Sequence, residues 1–264
     1  MTDGSDSTAV VRARGLGKRY QRLHQKPMLF RDLVTLGRRR GTREDFWALR
    51  DVSFDLNRGE TVGVVGANGS GKSTLLTLVA GTSFPSEGSV SVRGRISLLL
   101  ELGAGFHGDM TGIENIMVNA AILGIRAAEI RTSVEEIVAF AELEKAIDTP
   151  VRFFSSGMLA RLGFAIAVHL RPNLLLVDEV LAVGDAAFQA KCMRHIQRLR
   201  DSDATILVVS HAVETVRQMC NRVMWIQEGS LRAIGDPSTV LDAYLADQAV
   251  VEARAAARMN RSAP

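Results

Sequence analysis

The chain has 264 residues, 47% hydrophobic, 23% charged and 5% aromatic, enough to bury the core of one large domain or two lobes. Its 32 Lys and Arg against 29 Asp and Glu leave a net charge of only +3, so no nucleic-acid partner is expected, and two cysteines, Cys192 and Cys220, cannot build a disulfide framework and suit a reducing compartment as buried, inert thiols. No apolar run approaches the roughly 18 residues of a membrane span and the polar, acidic N-terminus has no leader pattern, which excludes a transmembrane helix and predicts a cytoplasmic protein.

In chain order, Thr61–Val65 is a β-branched run suited to a buried strand, and a helix is expected over 75–80, closed by Gly81. Residues 89–100 read as a pair of strands broken at Gly94. Helical spacing follows over 112–123, 127–141 and 157–170, with Pro172 as the stop. Strands resume at Leu174–Val177, Thr205–Val209 and Arg222–Gln227, with helices near 186–200 and 211–219 between them. Asp236-Pro237 starts a helix over 238–245. The outline is a mostly parallel α/β lobe with a helical lobe inserted near 103–171. Only the ends, 1–8 and the Ala/Arg-rich 249–264, read as loose, flexible tails.

Gly66-Ala67-Asn68-Gly69-Ser70-Gly71-Lys72-Ser73 fits the phosphate-loop pattern G-x-x-x-x-G-K-[ST], between a strand and a helix. Glycines let the backbone amides curl inward toward phosphate oxygens, and the helix start adds its positive end. Lys72 is placed to reach the β- and γ-phosphates, and the Ser73 hydroxyl to ligate Mg²⁺. The alternative, a glycine-rich turn without a ligand, does not explain the strand-loop-helix context.

The strand Leu174–Val177 ends in Asp178 and Glu179. Asp178 is placed to hold Mg²⁺ through a water and Glu179 to accept a proton from attacking water. Phe154-Ser155-Ser156-Gly157-Met158 opens a helix that Ser155 is placed to cap, leaving an anion site at its amides. His211 follows the strand Thr205–Val209, at the kind of strand end where ligands gather in a parallel sheet.

These pieces, over about 9–248, resemble the nucleotide-binding subunit of an ABC transporter. The resemblance implies a P-loop NTPase fold with a mostly parallel core sheet, an antiparallel β subdomain and the inserted helical subdomain. It implies a homodimer that sandwiches two ATP molecules, each between the phosphate loop of one copy and the signature segment of the other. The nucleotide contacts would then be Gly66, Ala67, Asn68, Gly69, Ser70, Gly71, Lys72, Ser73 and Thr74, with Asp178, and Ser155, Ser156 and Gly157 from the second copy. Glu179 would be the catalytic base, His211 the switch histidine, and Tyr20 the ring that stacks on adenine. Ala182, Val183, Gly184 and Asp185 stand at the D-loop. The signature departs from the common Leu-Ser-Gly-Gly-Gln. The usual glutamine of the lobe-joining loop is missing, and Glu101 lies near its place, which leaves the metal contact and lobe coupling there open.

Leu100-Glu-Leu-Gly-Ala-Gly-Phe106 and Asp178-Glu-Val-Leu-Ala-Val-Gly-Asp185 are similar to one branch of the family, the ATPases of O-antigen, teichoic acid, capsule-like and galactan exporters. That branch implies an integral-membrane permease partner in a two-plus-two complex, a lipid-linked glycan as cargo and a place at the cytoplasmic face of the membrane. The sequence is expected to be a short form, without the C-terminal carbohydrate-binding domain of the branch's long members. The readings kept beside this one are an exporter of another lipid or drug-like cargo, a soluble ABC ATPase, another phosphate-loop class and a nucleotide-sensing scaffold. Residues 21–46 are longer than a hairpin needs; Leu29, Leu33 and Leu36 make an apolar stripe before Arg38, Arg39 and Arg40. The branch has a gate helix there, which would meet anionic lipid or the glycan's pyrophosphate; the alternative is a surface helix packed on its own domain with a solvated basic loop. The loop with Phe106 and His107 and the helix after it are expected to receive the permease.

Overall fold

The structure, a computed structural model, describes residues 8–23, 43–99, 105–170, 172–178, 184–202 and 204–261. Its elements in chain order are β1 (Ala9–Leu23), β2 (Arg43–Asn57), β3 (Thr61–Val65), α1 (Lys72–Val79), β4 (Glu87–Val92), β5 (Ile96–Leu99), α2 (Gly112–Ile122), α3 (Ala127–Arg131) and α4 (Val134–Ala141). They continue through α5 (Ser156–His169), β6 (Leu174–Val177), α6 (Ala186–Asp201), β7 (Thr205–Val209), α7 (Val213–Met219), β8 (Arg222–Gln227), β9 (Ser230–Gly235) and α8 (Pro237–Arg261). Among the described residues, no helix is long and apolar enough to cross a membrane.

The strands form two sheets. One is antiparallel, in the order β2-β1-β4; the other runs β5-β6-β7-β3-β8-β9 and is parallel throughout except for the β8–β9 pair. Side chains of the parallel strands alternate between two buried cores. Val62, Val64, Leu174, Leu176, Leu207, Val209, Met224 and Ile226 face the antiparallel sheet and α1. Val65, Leu175, Val177, Ile206, Val208, Val223 and Trp225 face a second core built with α5, α6, α7 and α8. Burial on both faces explains why these strands read as continuous apolar runs. Gly63 is small because α7 lies against it: a Cβ there would stand 2.5 Å from Val216 Cγ1. A third core, with Ile116, Ile130, Ile137, Leu162 and Ile166, fills the helical lobe.

Four expectations change. Residues 89–100 are two strands, but they separate into different sheets at Gly94, whose φ of 92° turns the chain. The expected helix over 127–141 is two helices: the Thr132 hydroxyl donates to the Glu129 carbonyl at 2.8 Å and the Ser133 amide to Ile130, which ends the first. The last helix continues past 245 to Arg261, as the alanines and arginines there favour. Finally, β1 and β2 extend into the supposed insertion, pairing Gln21 with Asp45 and Leu23 with Arg43. The apolar stripe and the arginine triplet of that insertion lie outside the described residues. Cys192 and Cys220 are free and buried, and burial pushes both thiols up to about 12.

Where α4, α5 and α6 meet, Phe140 packs edge-on against His169 and His195, whose rings are 4.7 Å apart. Burial holds both imidazoles neutral: it lowers His169 and, with His169 and Arg198 adding repulsion, brings His195 down to about 4. The unfolded chain therefore binds protons that the folded chain refuses between about pH 6.5 and 4, so this pair costs stability as pH falls through that window. Urea unfolding at pH 7 and pH 5 is expected to show the loss. The substitution His195→Gln is expected to flatten it, and an unchanged slope in that variant would contradict the assignment.

Candidate functional site

β3 ends at Val65 and delivers the chain into the loop 66–71, from which α1 departs at Lys72. Gly66, Gly69 and Gly71 have φ values of 155°, 77° and 108°. A Cβ on Gly66 would lie 2.2 Å from the Ile226 carbonyl oxygen, and one on Gly71 would lie 2.4 Å from that of Ala48. Gly69 meets nothing, so its left-handed backbone alone asks for glycine. The loop is thus wedged between β8 and β2, with Ala67, Asn68 and Gly69 as its exposed rim.

Lys72 is only 6% exposed and turns its ammonium back over the loop, donating to the Gly66 carbonyl at 2.8 Å and the Ala67 carbonyl at 3.0 Å. No side chain caps α1 at Gly71 and no acid sits in its first turn. The first-turn amides therefore keep their positive end for an anion. Ser70 Oγ is buried and has no hydrogen-bond partner among the described residues. Buried hydroxyls are rarely left so. A glycine cradle, a buried cation and an unsatisfied hydroxyl together fit a phosphate group. Ser73 is exposed and Thr74 half-buried on the first turn.

The strand register brings further residues to the same edge. Val64 pairs with Val209, and Val177 pairs with Val208, so the chain leaves β3, β6 and β7 at neighbouring points. Asp178, half-buried at the tip of β6, lines a small cavity with Ser210, next to exposed His211. Both Ser73 and Asp178 are hard oxygen donors of the kind Mg²⁺ takes. Glu179 and Glu101 lie outside the described residues.

The signature segment is elsewhere. Ser155 caps α5, its hydroxyl accepting from the Met158 amide at 3.2 Å. Ser155 and Gly157 line a cleft of about 520 Å³ with Glu142, Met158, Arg161 and Gly184, and no described lining residue belongs to the phosphate loop. Tyr20 stands on β1, opposite the β2 segment that leads to Ala48 against Gly71, and does not line the signature cleft. Its ring stacks on that of its cross-strand neighbour Phe46, with centroids 5.8 Å apart and both rings more than a third exposed. Lys18 Nζ lies 5.3 Å from the Tyr20 centroid.

Sequence reasoning missed three residues. Phe46 falls within the expected insertion 21–46; the β1–β2 pairing makes it the partner of Tyr20. Asn115, fully buried on α2, binds the loop before it: its Oδ1 accepts from the His107 amide at 2.8 Å and its Nδ2 donates to the carbonyls of His107, Met110 and Thr111. It thereby pins the loop carrying His107. Arg161 joins Glu142 and Asp185 through two ion pairs of 2.7 Å. Among the described residues no cluster of His, Cys, Asp or Glu could hold a metal by itself.

Comparison with known proteins identifies the family. Residues 49–182 match the family model described as ABC transporter. The chain is 47% identical over 199 residues to an O-antigen export system ATP-binding protein, RfbB, of Klebsiella pneumoniae, covering 75% of this chain and 81% of that one. It is 46% identical over 210 residues to the RfbB of Myxococcus xanthus, covering 80% of this chain and 48% of the other. It is 38% identical over 234 residues to a teichoic acids export ATP-binding protein, TagH, of Lactococcus lactis, covering 89% of this chain and 50% of that one. In fold it is similar to an ATP-binding subunit of an ABC transporter (TM-score 0.72, 20% identity, 92% of this chain and 98% of that one). It is also similar to a dimeric ATP-binding cassette in a post-hydrolysis state bound to ADP and Pi (TM-score 0.66, 21% identity, 86% and 98%).

The two loop glycines separate contact from backbone strain. Gly71→Ala drives a Cβ into the Ala48 carbonyl at an unfavourable φ and is expected to cost about 2–3 kcal/mol. Gly69→Ala carries only the backbone penalty, about 1 kcal/mol. Urea denaturation of the two variants measures the difference. Equal losses would show that contact with β2 does not shape the loop.

Proposed function

Because the chain belongs to the ABC transporter family, we propose that it is the ATP-hydrolysing subunit of an exporter that moves a lipid-linked polysaccharide across a membrane. The cargo class is carried over from the relatives, which are named for O-antigen and teichoic acid export. The observation that carries the catalytic part is the phosphate loop itself: a glycine cradle around the buried Lys72 ammonium and the unsatisfied Ser70 hydroxyl.

In this reading the loop amides and the α1 start bind the β- and γ-phosphates, and Lys72 exchanges its two carbonyl partners for phosphate oxygens. Ser73 and Asp178 would hold Mg²⁺, which when bound neutralises charge on the phosphates. Tyr20 receives the adenine ring. Glu179 takes the proton of the attacking water and His211 orients the γ-phosphate. Residues of two clefts share one nucleotide: Ser155, Ser156 and Gly157 close over the triphosphate held by the loop of a second copy. The separation of the signature cleft from the phosphate loop within one chain supports a head-to-tail homodimer, and the dimeric cassette of similar fold is consistent with it.

A pair of such subunits would drive an integral-membrane permease at the cytoplasmic face of the membrane. ATP binds the closed dimer better than the open one, and hydrolysis removes that difference. The loop pinned by Asn115, with Phe106 and α2, is the surface offered to the permease.

Two substitutions test the assignment in the complex with its permease. Lys72→Ala is expected to weaken ATP binding by tenfold or more, since a charge-assisted hydrogen bond is worth roughly 1.5–3 kcal/mol. Glu179→Gln is expected to bind ATP normally and to arrest as a closed dimer, detected by gel filtration with ATP. Rapid turnover by Glu179→Gln would refute the base, and failure of the unsubstituted complex to cleave ATP would refute the function.

A further inference from the structure

α5 begins with the signature serine, and Arg161 follows on the same helix. Its side chain is only 20% exposed, and its two terminal nitrogens are both engaged. One donates to Glu142 Oε2 and the other to Asp185 Oδ2, each at 2.7 Å. Both carboxylates stand at helix ends. Glu142 closes α4 in a left-handed conformation (φ 59°), and Asp185 caps α6 by accepting from the Phe188 amide at 2.9 Å.

The guanidinium is held by more than charge. It lies 4.8 Å over the Phe188 ring, and a Cβ on Gly184 would come within 3.3 Å of Arg161 Nε. Lys191 of α6 repeats the link, donating to Glu142 Oε1 at 3.0 Å and to the Phe140 carbonyl at 2.8 Å. Hydrogen bonds from Lys191 and Arg161 keep the Glu142 carboxyl below its ordinary range, and the Phe188 amide with Arg161 does the same for Asp185. Isolated exposed ion pairs contribute little to stability. A planar fork that joins the ends of α4 and α6 to α5 over an aromatic ring fixes geometry instead.

We propose that Arg161 is a positioning residue for ATP hydrolysis: it locks the signature start of α5 to the N-terminus of α6, the next described element after β6. The inference rests on the proposed function, in which Ser155 and Gly157 act on the nucleotide of a second copy. The clasp ties that contact to the Asp185 cap of the same subunit's α6. Loosening it lowers turnover and leaves nucleotide capture at the Lys72 loop intact.

Asp185→Asn is the discriminating variant. Asparagine keeps a cap acceptor for α6 and removes the charge that Arg161 grips. Arg161→Met, Arg161→Lys, Asp185→Asn and the double variant Arg161→Met/Asp185→Asn are compared in the complex with its permease. The readouts are kcat, KM, ATP affinity of the isolated subunit and Tm. Arg161→Met and Asp185→Asn are each expected to lower kcat about tenfold, the worth of one charge-assisted bond. KM and affinity stay within about twofold, and the double variant is no worse than Arg161→Met alone. Arg161→Lys, with a point charge in place of a fork, recovers only part of the loss. Wild-type kcat in Asp185→Asn, or additive losses in the double variant, would overturn the inference alone. A fall in Tm with kcat unchanged would assign Arg161 a structural role and overturn it too. Absence of ATP cleavage in the unsubstituted complex would overturn the proposed function, and this inference with it.

Discussion

Parallel strands buried on both faces leave no room for polar side chains along their length. In this protein β3, β6 and β7 are buried from end to end and apolar beyond the threonines that open β3 and β7, with one core on each side. Chemistry is therefore confined to where the strands stop. The register that pairs Val64 with Val209 and Val177 with Val208 makes the stops of these three strands neighbours. The phosphate loop, Asp178 and His211 meet because packing forces them to the same margin. A shift of one residue in any of these strands would exchange the faces of its side chains and misplace the residue at its tip.

At that margin the phosphate loop itself is cationic. The α1 start is uncapped and free of acids in its first turn, and the Lys72 ammonium rests on carbonyl oxygens. Such a lysine is held in place before an anion arrives, so little side-chain entropy remains to be lost on binding. The signature start is built differently. Ser155 already satisfies the Met158 amide of its own helix, and its neighbours open onto a broad cleft. One half-site is a tight cradle and the other an open cap, which suits a ligand bound first by the cradle and closed over later by a second copy.

The phosphate loop was legible in the sequence because its chemistry is local: residue types at fixed spacing between one strand and one helix. The doubly buried strands were legible for the same reason. What escaped depended on distant pairing. Phe46 meets Tyr20 only through a register that skips residues 24–42, and charged residues at the hairpin arms hid the strands there. Asn115 looks like a surface polar residue of a helix, and only the fold of the preceding loop shows it serving backbone groups from 107 to 111. The apolar period runs unbroken through Thr132 and Ser133, so nothing but their hydrogen bonding reveals the break between α3 and α4. Arg161 reads as one arginine on an apolar helix; its partners are 19 residues before it and 24 after it.

α5 lies between two of the cores. Leu162, Ala165 and Ile166 belong to the core of the helical lobe, while Phe164, Ala167 and Val168 belong to the core beneath the parallel sheet. Two close-packed cores grip this helix. It cannot turn about its axis without opening a cavity in one core or overfilling the other, at a cost of several kcal/mol for large side chains. Its first turn, by contrast, is exposed and carries Ser155 and Ser156. A force on the signature serines therefore moves the helix as a rigid piece, and with it the helical lobe whose α2 and pinned loop form the surface assigned to the permease. Packing, and not flexibility, carries the signal from nucleotide to membrane partner in the proposed cycle.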